Sequence, residues 1–248
     1  MMPVGGMAEF MVVDTANAVA KPDSVDFIQA AACASAVTSL DAVDFCNEGD
    51  RVLVLGGSGG VGSSAITLAK AFGASFVATT STQEKMCLDL GADEVINYKE
   101  KNWWEIDEFR KEKFDVIIDT VGGGNFYGKA VKVLKTGKKG GKFVAVTGDD
   151  NQPDLSSWFK VLQYISKMPW RPLYTSIRKR KYPKFILLLP GDYAKGLTRI
   201  LNLMSEEKLK IALDPGSPHA FSEAGVKEAF KIQGSGHAHG KVVVTMEN

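Results

Sequence analysis

The residues of this chain that could do chemistry are concentrated in one glycine-rich segment. Residues 51–62 form an apolar run that leads into five glycines within seven positions. Gly57, Gly59 and Gly62 have the G-x-G-x-x-G spacing with which a backbone approaches a pyrophosphate at a helix N-terminus. The alternative is an ordinary tight turn between a strand and a helix, although such a turn needs only one glycine. We therefore predict a dinucleotide-binding loop at this point. The predicted loop also contains Ser58, Gly60 and Val61.

The end of the next predicted strand bears on which dinucleotide would bind. Where NAD binds such a loop, a carboxylate about 20 residues further on accepts a hydrogen bond from the ribose 2′-OH. Here residues 78–82 read Ala-Thr-Thr-Ser-Thr, without a carboxylate. The hydroxyl of Ser81 and the cation of Lys85 in the following helical turn suit a 2′-phosphate instead. We therefore predict NADPH rather than NADH as the cofactor. The alternative for Lys85 is a solvated charge on a helix.

The elements that must position this loop alternate between strand and helix. Their strands are short continuous apolar runs, as burial on both faces of a parallel sheet requires. We predict an α/β fold, a Rossmann-type doubly wound parallel sheet, with Gly73 and Gly91 just past helix ends as left-handed caps. The predicted strands are Val52–Leu55, Phe76–Thr79, Glu94–Asn97, Phe114–Asp119 and Lys142–Thr147. The predicted helices cover residues 60–73, Thr82–Leu90, 102–111 and Asn125–Leu134.

The two flanks of this region have a different pattern. A strand is predicted over Ala8–Val13 and a helix rich in small residues over Asp26–Phe45. Residues 151–184 lose the alternation. It returns with strand Lys184–Leu189, helix Asp192–Glu206, strand Leu209–Leu213, helix Phe221–Lys231 and strand Lys241–Met246.

Composition excludes several classes of protein. With 248 residues, 45% of them hydrophobic, the chain suits a globular protein of one or two domains. A net charge of +1 gives no field that would favour nucleic acid or an anionic membrane. Its three cysteines lie far apart without a C-x-x-C pair, which favours a reducing, intracellular compartment. We expect no membrane span and no secretory signal. Cytoplasm, mitochondrion and plastid are not distinguished.

Several further segments carry a family resemblance. Residues 47–62 with their glycine loop, 90–98 (LGADEVINY), 115–123 (DVIIDTVGG) and 236–244 (GHAHGKVVV) occur in the order typical of one superfamily. The chain resembles the medium-chain dehydrogenase/reductase superfamily, in particular its zinc-free quinone oxidoreductase and enoyl-reductase-like branch. It is similar to the reticulon-interacting mitochondrial reductase subgroup.

The resemblance implies further cofactor contacts. Tyr98 would lie near the adenosine phosphate, Val121 at the switch point of the sheet and Thr147 at the end of the fifth strand. A strand-end aromatic that packs over the sheet edge is the alternative for Tyr98. The remaining positions implied near the nicotinamide or over the cofactor are Thr38, Leu187, Leu189 and His237. The two leucines suit the core or a dimer edge equally well, and a histidine in a glycine-rich loop usually faces solvent.

The residues that could ligate zinc do not follow the pattern of zinc-dependent relatives. Those relatives place a cysteine four residues before the threonine equivalent to Thr38, and here that position is Ala34. Cys33 is adjacent but out of register, and nothing completes a tetrahedral set. His219, His237 and His239 are interpreted as loop residues. We therefore predict no metal site.

The front of the chain departs from the family pattern, which begins with a GroES-like catalytic domain. Only its closing strand, within Gly5–Val13, is recognised here. We predict a remnant of that domain with a linking helix over residues 1–40, a Rossmann domain over 41–206 and a return to the catalytic domain over 207–248.

The predicted activity is zinc-independent, NADPH-dependent reduction of a quinone or an α,β-unsaturated carbonyl by hydride transfer. No proton donor is assigned, because the polar groups nearest the substrate normally come from the front domain. The alternative is a catalytically silent NADPH-binding or interaction module. By analogy we expect a homodimer that pairs through the edge strand Phe185–Leu189.

Overall fold

The structure is a computed structural model of the chain. It describes residues 7–8, 11–122, 126–137, 140–147, 170–178, 181–189 and 191–246. The predicted closing strand within Gly5–Val13 and the segment 151–184 therefore lie partly outside the described residues. No helix in the described ranges has the length and apolar character needed to cross a bilayer.

A six-stranded parallel sheet forms the centre of the molecule, as the alternating pattern predicts. Its spatial order is β3-β2-β1-β4-β5-β6, the order of a Rossmann sheet. Leu55, at the end of β1, lies opposite Thr80 of β2 on one side and Asp119 of β4 on the other. The chain order reverses between β1 and β4, so a crevice opens at this edge. The strands are β1 (Arg51–Leu55), β2 (Phe76–Thr80), β3 (Glu94–Ile96), β4 (Val116–Asp119), β5 (Lys142–Ala145) and β6 (Lys184–Leu187).

Helices cover both faces of the sheet, and a small parallel pair of strands lies in the last part of the chain. This pair consists of β7 (His219–Ala220) and β8 (Val244–Thr245). The helices are α1 (Phe27–Ala32), α2 (Ala34–Val43), α3 (Gly60–Ala71), α4 (Glu84–Asp89), α5 (Asp107–Lys111), α6 (Phe126–Ala130), α7 (Trp170–Ile177), α8 (Tyr193–Ser205) and α9 (Glu223–Gly234). Short 3-10 turns occupy Thr15–Asn17 and Trp103–Glu105.

The two faces of the sheet belong to two separate apolar cores. Alternate residues of β1 divide between them: Val52 and Val54 join the core with α2, α3 and α8, whereas Leu53 and Leu55 join the other. The second core is aromatic and includes Phe114, Phe143 and Phe185. All four apolar residues of β1 are buried, which explains why they read as an uninterrupted apolar run.

Most predicted elements are present within a few residues of their expected bounds, and the glycine caps are confirmed. Gly73 and Gly91 have φ values of +85° and +99°. Two predicted helices are divided. Asp26–Phe45 becomes α1 and α2, separated at Cys33. The segment 102–111 breaks at Ile106, whose extended backbone (φ −69°, ψ 121°) lies between the 3-10 turn and α5. The start of the predicted helix Asn125–Leu134 lies outside the described residues.

The predicted strand Leu209–Leu213 is wrong. The side-chain amide of Gln29 takes the place of a neighbouring strand: its Oε1 accepts from the Ile211 N–H at 2.8 Å, and its Nε2 donates to the Ile211 carbonyl at 3.1 Å. Among the described residues, only one bridge, from Leu213 to Lys241, pairs this segment with another. The apolar alternation therefore reports one-sided burial without a sheet ladder.

Few of the described residues in the two predicted flanking strands are in a strand. Ala8 and residues 11–13 are not in a strand, and residues 9–10 lie outside the described part. Val12 is 97% exposed, so this segment lacks the packing that sustains a strand. At the other end, strand Lys241–Met246 is reduced to β8.

Candidate functional site

Three positions at the turn between β1 and α3 must be glycine, because a side chain there would clash with other residues of this chain. Gly56 has φ +84°, and a Cβ there would lie 2.8 Å from Val121 Cγ2. A Cβ on Gly57 would overlap the Thr79 hydroxyl, and one on Gly62 would overlap the Gly56 carbonyl oxygen. These three glycines therefore bring strand, turn and helix into close contact.

Gly59 is different, because nothing in the described structure requires the absence of its side chain. A Cβ there would meet only the Gly56 carbonyl oxygen, at 3.4 Å. Gly59 is the N-cap residue of α3, with extended backbone (φ −76°, ψ 169°) and no side-chain capping bond. The first N–H groups of a helix have no partner within the helix. A glycine here places no side chain between them and a ligand, and a backbone bridge joins Gly59 to Gly240 beside them.

Threonine hydroxyls at the strand ends hold the glycine loop in place. The Gly56 N–H donates to Thr80 Oγ1 and the Gly57 N–H to the Thr80 carbonyl, both at 3.0 Å. Thr120 at the end of β4 donates its hydroxyl to the Leu55 carbonyl at 2.7 Å. The loop is thus fixed to both neighbouring strands before any ligand arrives, which reduces the entropic cost of binding.

The segment 236–241 closes the same edge from the other side. The Gly240 N–H donates to the Ser58 carbonyl at 2.8 Å. The His239 N–H donates to Asp214 Oδ2 at 2.9 Å, and His239 Nδ1 is buried with no partner among the described residues. Lys241 packs its stem toward Gly60, and burial lowers the pKa of its ammonium.

These segments enclose a cavity of about 570 Å³ at the carboxyl edge of the sheet. It combines strand-end hydroxyls with an aromatic wall, a combination suited to a ligand with both polar and planar parts. The described lining residues are Leu55, Gly56, Ser58, Gly59, Thr80, Ser81, Thr82, Tyr98, Lys101, Asn102, Trp103, Trp104, Thr120, Val121, Phe126, Gly236, His237, Ala238 and His239.

Among the described residues, the lining of the cavity carries one lysine, two histidines and no carboxylate. The lysine is Lys101. Asp119, at the end of β4, is buried and outside the lining, and its Oδ1 accepts from the N–H groups of Val121 and Gly122. The absence of a carboxylate beside Ser81 agrees with the pattern read at residues 78–82. An anionic ligand would therefore meet no negative charge in the described lining.

Six of the residues predicted for the site line this cavity, and others do not. The lining positions are Ser58, Gly59, Ser81, Tyr98, Val121 and His237. Gly57 lies in the turn behind it, and Gly60, Val61 and Gly62 begin α3. The positions outside the lining are Thr38, Lys85, Thr147, Leu187 and Leu189. Lys85 instead pairs with Asp89, Nζ to Oδ2 at 2.6 Å. The Thr147 hydroxyl is buried without a partner among the described residues.

Sequence reasoning missed the residues that return to the cavity after β3. Lys101, Asn102 and the two tryptophans belong to that loop. Trp103 is buried in the aromatic core, and Trp104 is half-buried with Lys129 Nζ 4.0 Å from its ring centroid. Their position after a strand that ends at the binding edge is a signal that could have identified them.

The described residues do not form a set that fits a zinc ion. No group of three His, Cys, Asp or Glu side chains within them is placed to hold a metal. Cys33 is buried in the core between α1 and α2, where burial raises the pKa of its thiol. His237 and His239 lie in a loop as predicted, whereas His219 begins β7.

The fold and the loop define the class as a Rossmann-type α/β protein. A sequence profile described as zinc-binding dehydrogenase matches residues 90–244. The chain belongs to this family, within the medium-chain dehydrogenase/reductase superfamily.

Named relatives agree with this assignment. The chain is 34% identical over 247 residues to the chloroplastic NADPH-dependent alkenal/one oxidoreductase of Arabidopsis thaliana, which covers 97% of this chain and 53% of the relative. It is 32% identical to the mitochondrial NAD(P)H oxidoreductase RTN4IP1 of Danio rerio, over 98% of this chain and 63% of the relative. The chain thus spans about half the length of the first of these relatives.

A solved structure shares the fold. The quinone oxidoreductase of Coxiella burnetii matches with a TM-score of 0.67 and 27% identity, over 92% of this chain and 64% of that one. The sequence resemblance and the sheet topology therefore lead to the same superfamily.

Proposed function

We propose that the chain binds NADPH and serves the reduction of a quinone or an α,β-unsaturated carbonyl. The observation that carries this proposal is Gly59, an open N-cap at the mouth of the cavity. Gly56, Gly57 and Gly62 are required by the chain's own packing, but Gly59 is not. A diphosphate on the N-terminus of α3 would account for it.

The cavity fits the other parts of such a cofactor. Hydroxyls of Ser81 and Thr82 suit the ribose phosphate, and Tyr98, Trp104 and Phe126 offer planar surface to a base. When bound, the nicotinamide supplies the hydride. The residues of this chain then bind and orient the cofactor and exclude water from it. Their contribution to the reaction is therefore positioning.

The choice of acceptor is supported by relatives. One is named for alkenals and enones, and a second, from the Arabidopsis chloroplast envelope, is named a quinone oxidoreductase homolog. An electron-poor C=C or quinone accepts hydride when a hydrogen bond polarises its oxygen. We propose a zinc-independent reaction, since the described residues include no fitting ligand set.

The experiment is a titration of the whole chain with NADPH, followed by turnover with a panel of quinones and enones. Trp103 and Trp104 line the cavity, so bound NADPH is expected to quench tryptophan fluorescence. Loss of NADPH absorbance with an acceptor supports the reductase. Binding without turnover indicates the NADPH-binding module instead. If NADPH leaves the fluorescence and the melting temperature of the folded chain unchanged, the proposal fails.

We infer in addition that two copies pair through β6. This strand lies at the edge of the described sheet, and Leu189 just beyond it is 70% exposed. On its outer side the Phe185 N–H donates to Thr175 Oγ1 of α7, so the rest of the edge would pair. An apolar edge of this kind is otherwise prone to aggregation. Sedimentation at micromolar concentration is expected to give a dimer, and a monomer would contradict the inference. The division into segments at residues 40 and 206 remains a prediction.

A further inference from the structure

We propose that the exposed face of α7, with the turn that follows it, binds the surface of an anionic membrane. None of the described residues of α7 lines the cofactor cavity, so this partner would be additional to NADPH. Three features of the molecule support the proposal: the distribution of charge along the chain, the apolar side chains that α7 exposes, and the cations beside them.

Charge is distributed unevenly along the chain, although the net charge is only +1. Residues 155–191 contain eight lysines and arginines and no aspartate or glutamate, so the rest of the chain carries a net charge of −7. A short segment with charge of one sign is typical of a segment that contacts a polyanion. The helix α7 and the turn after it belong to this segment.

The packing of α7 against the sheet decides which of its faces is exposed. Thr175 is fully buried, and its Oγ1 accepts from the Phe185 N–H of β6 at 3.1 Å. The opposite face carries Leu173, Tyr174 and Ile177, which are 54%, 44% and 73% exposed. Helix residues three and four positions apart are neighbours on the surface, so these three side chains form one apolar strip.

Two cations lie beside this strip. In the turn after α7 the Lys181 N–H donates to the Arg178 carbonyl at 2.9 Å, and the ring of Tyr182 returns to within 5.4 Å of the ring of Tyr174. Arg178 Cζ lies 5.3 Å from the centroid of the Tyr174 ring, and Lys181 Nζ lies 5.5 Å from that of Tyr182. Both cations are exposed, and within the described residues neither forms an ion pair with a carboxylate. Their charges therefore remain available to an anionic partner.

An anionic membrane suits this combination of side chains better than a nucleic acid does. Aliphatic groups such as Leu173 and Ile177 are stabilised when they enter the boundary between headgroups and acyl chains. Nucleic acids offer stacking to aromatic rings and no comparable environment for aliphatic groups. Lysine and arginine at the same surface are attracted to anionic headgroups, and tyrosine is enriched at the level of the headgroups. An apolar strip flanked by cations is the arrangement of a helix that lies in the plane of the interface.

The test measures how much of the full chain sediments with lipid vesicles. We expect binding to vesicles of phosphatidylserine and phosphatidylcholine in equal amounts, weaker binding when salt is added, and little binding to phosphatidylcholine alone. The double variant Arg178→Gln/Lys181→Gln should lower the partition coefficient by about tenfold to thirtyfold, since each cation near the surface contributes about fivefold. Ile177→Ser should lower the partition coefficient by about tenfold, because it removes an inserted apolar side chain.

Two control variants make the same kinds of change elsewhere. Lys99→Gln/Lys111→Gln removes two exposed cations that follow β3, which lies at the opposite edge of the sheet from β6. Phe27→Ser removes an apolar side chain of α1 that is 73% exposed, as Ile177 is. Both controls should bind the mixed vesicles as the original chain does.

The inference is overturned if the original chain does not bind the mixed vesicles, or if the controls lose as much binding as the α7 variants. Equal binding to neutral vesicles overturns it as well, because the cations then have no part. If Ile177→Ser instead converts a dimer into a monomer in sedimentation, a second copy of the chain covers this face. Tighter binding to single-stranded RNA than to vesicles identifies a nucleic-acid surface. These results leave the NADPH titration unaffected, so the proposed function is tested separately.

Discussion

Substitution of Gly59 by serine should separate cofactor binding from stability. The backbone of Gly59 already has the extended conformation of a helix N-cap, and the nearest atom to an added Cβ is the Gly56 carbonyl oxygen at 3.4 Å. Serine therefore fits without strain and can cap α3 with its hydroxyl. The same side chain would stand where the diphosphate is proposed to lie.

The substitution Gly59→Ser should stabilise the fold and weaken NADPH binding. A serine cap is better than glycine by a few tenths of a kcal/mol. Loss of glycine freedom in the unfolded chain adds about 0.4–1 kcal/mol. Together these raise the melting temperature by about 1–6 °C for a chain of this size. Loss of one or two charge-assisted hydrogen bonds, each about 1.5–3 kcal/mol, weakens NADPH binding by about tenfold to a thousandfold or more.

The assay is paired calorimetry and thermal unfolding of Gly59→Ser and a control. Gly128→Ser is the matched control: Gly128 lies on α6, and an added Cβ there has nothing within 4 Å. It should gain stability through the same entropic term and leave NADPH affinity unchanged. If Gly59→Ser binds NADPH as tightly as the original chain, the glycine loop does not hold the diphosphate, and the proposed cofactor site is refuted.

Three further predictions concern stability and reactivity. Gly62→Ala places a Cβ 2.8 Å from the Gly56 carbonyl carbon and 2.9 Å from Gly57 Cα; thermal unfolding should show a loss of about 1–3 kcal/mol, and an unchanged melting temperature would contradict the packing. Burial raises the pKa of Glu94 above its ordinary 4.5, so its ionised form costs the folded state stability at neutral pH. Glu94→Gln should therefore be more stable than the original at neutral pH, and denaturant titrations should show this gain disappearing below that ordinary pKa. Burial raises the pKa of the Cys46 thiol to about 12, so iodoacetamide near neutral pH should label the native chain slowly and the unfolded chain rapidly. Rapid native labelling would contradict this burial.

Much of the fold follows from local pattern. The β1–α3 unit was predictable because an apolar strand, a dense glycine turn and an amphipathic helix are each specified by neighbouring residues. Gly73 and Gly91 were predictable as caps for the same reason. The absence of a strand over Leu209–Leu213 was not predictable, because the backbone of Ile211 is bonded by the side chain of Gln29, which lies far away in sequence. Alternation of apolar residues records burial but does not identify what satisfies the backbone.

The same distinction holds at the candidate site. The sequence alone determined the Rossmann-type fold, the glycine loop and the absence of a carboxylate at the end of β2, since these depend on residue types at short spacing. Only the tertiary structure decided which residues line the cavity. Lys101, Asn102 and Trp103 return to it on the loop after β3, which is anchored by the burial of Trp103. Their place in the lining depends on that long-range packing, and local spacing does not encode it.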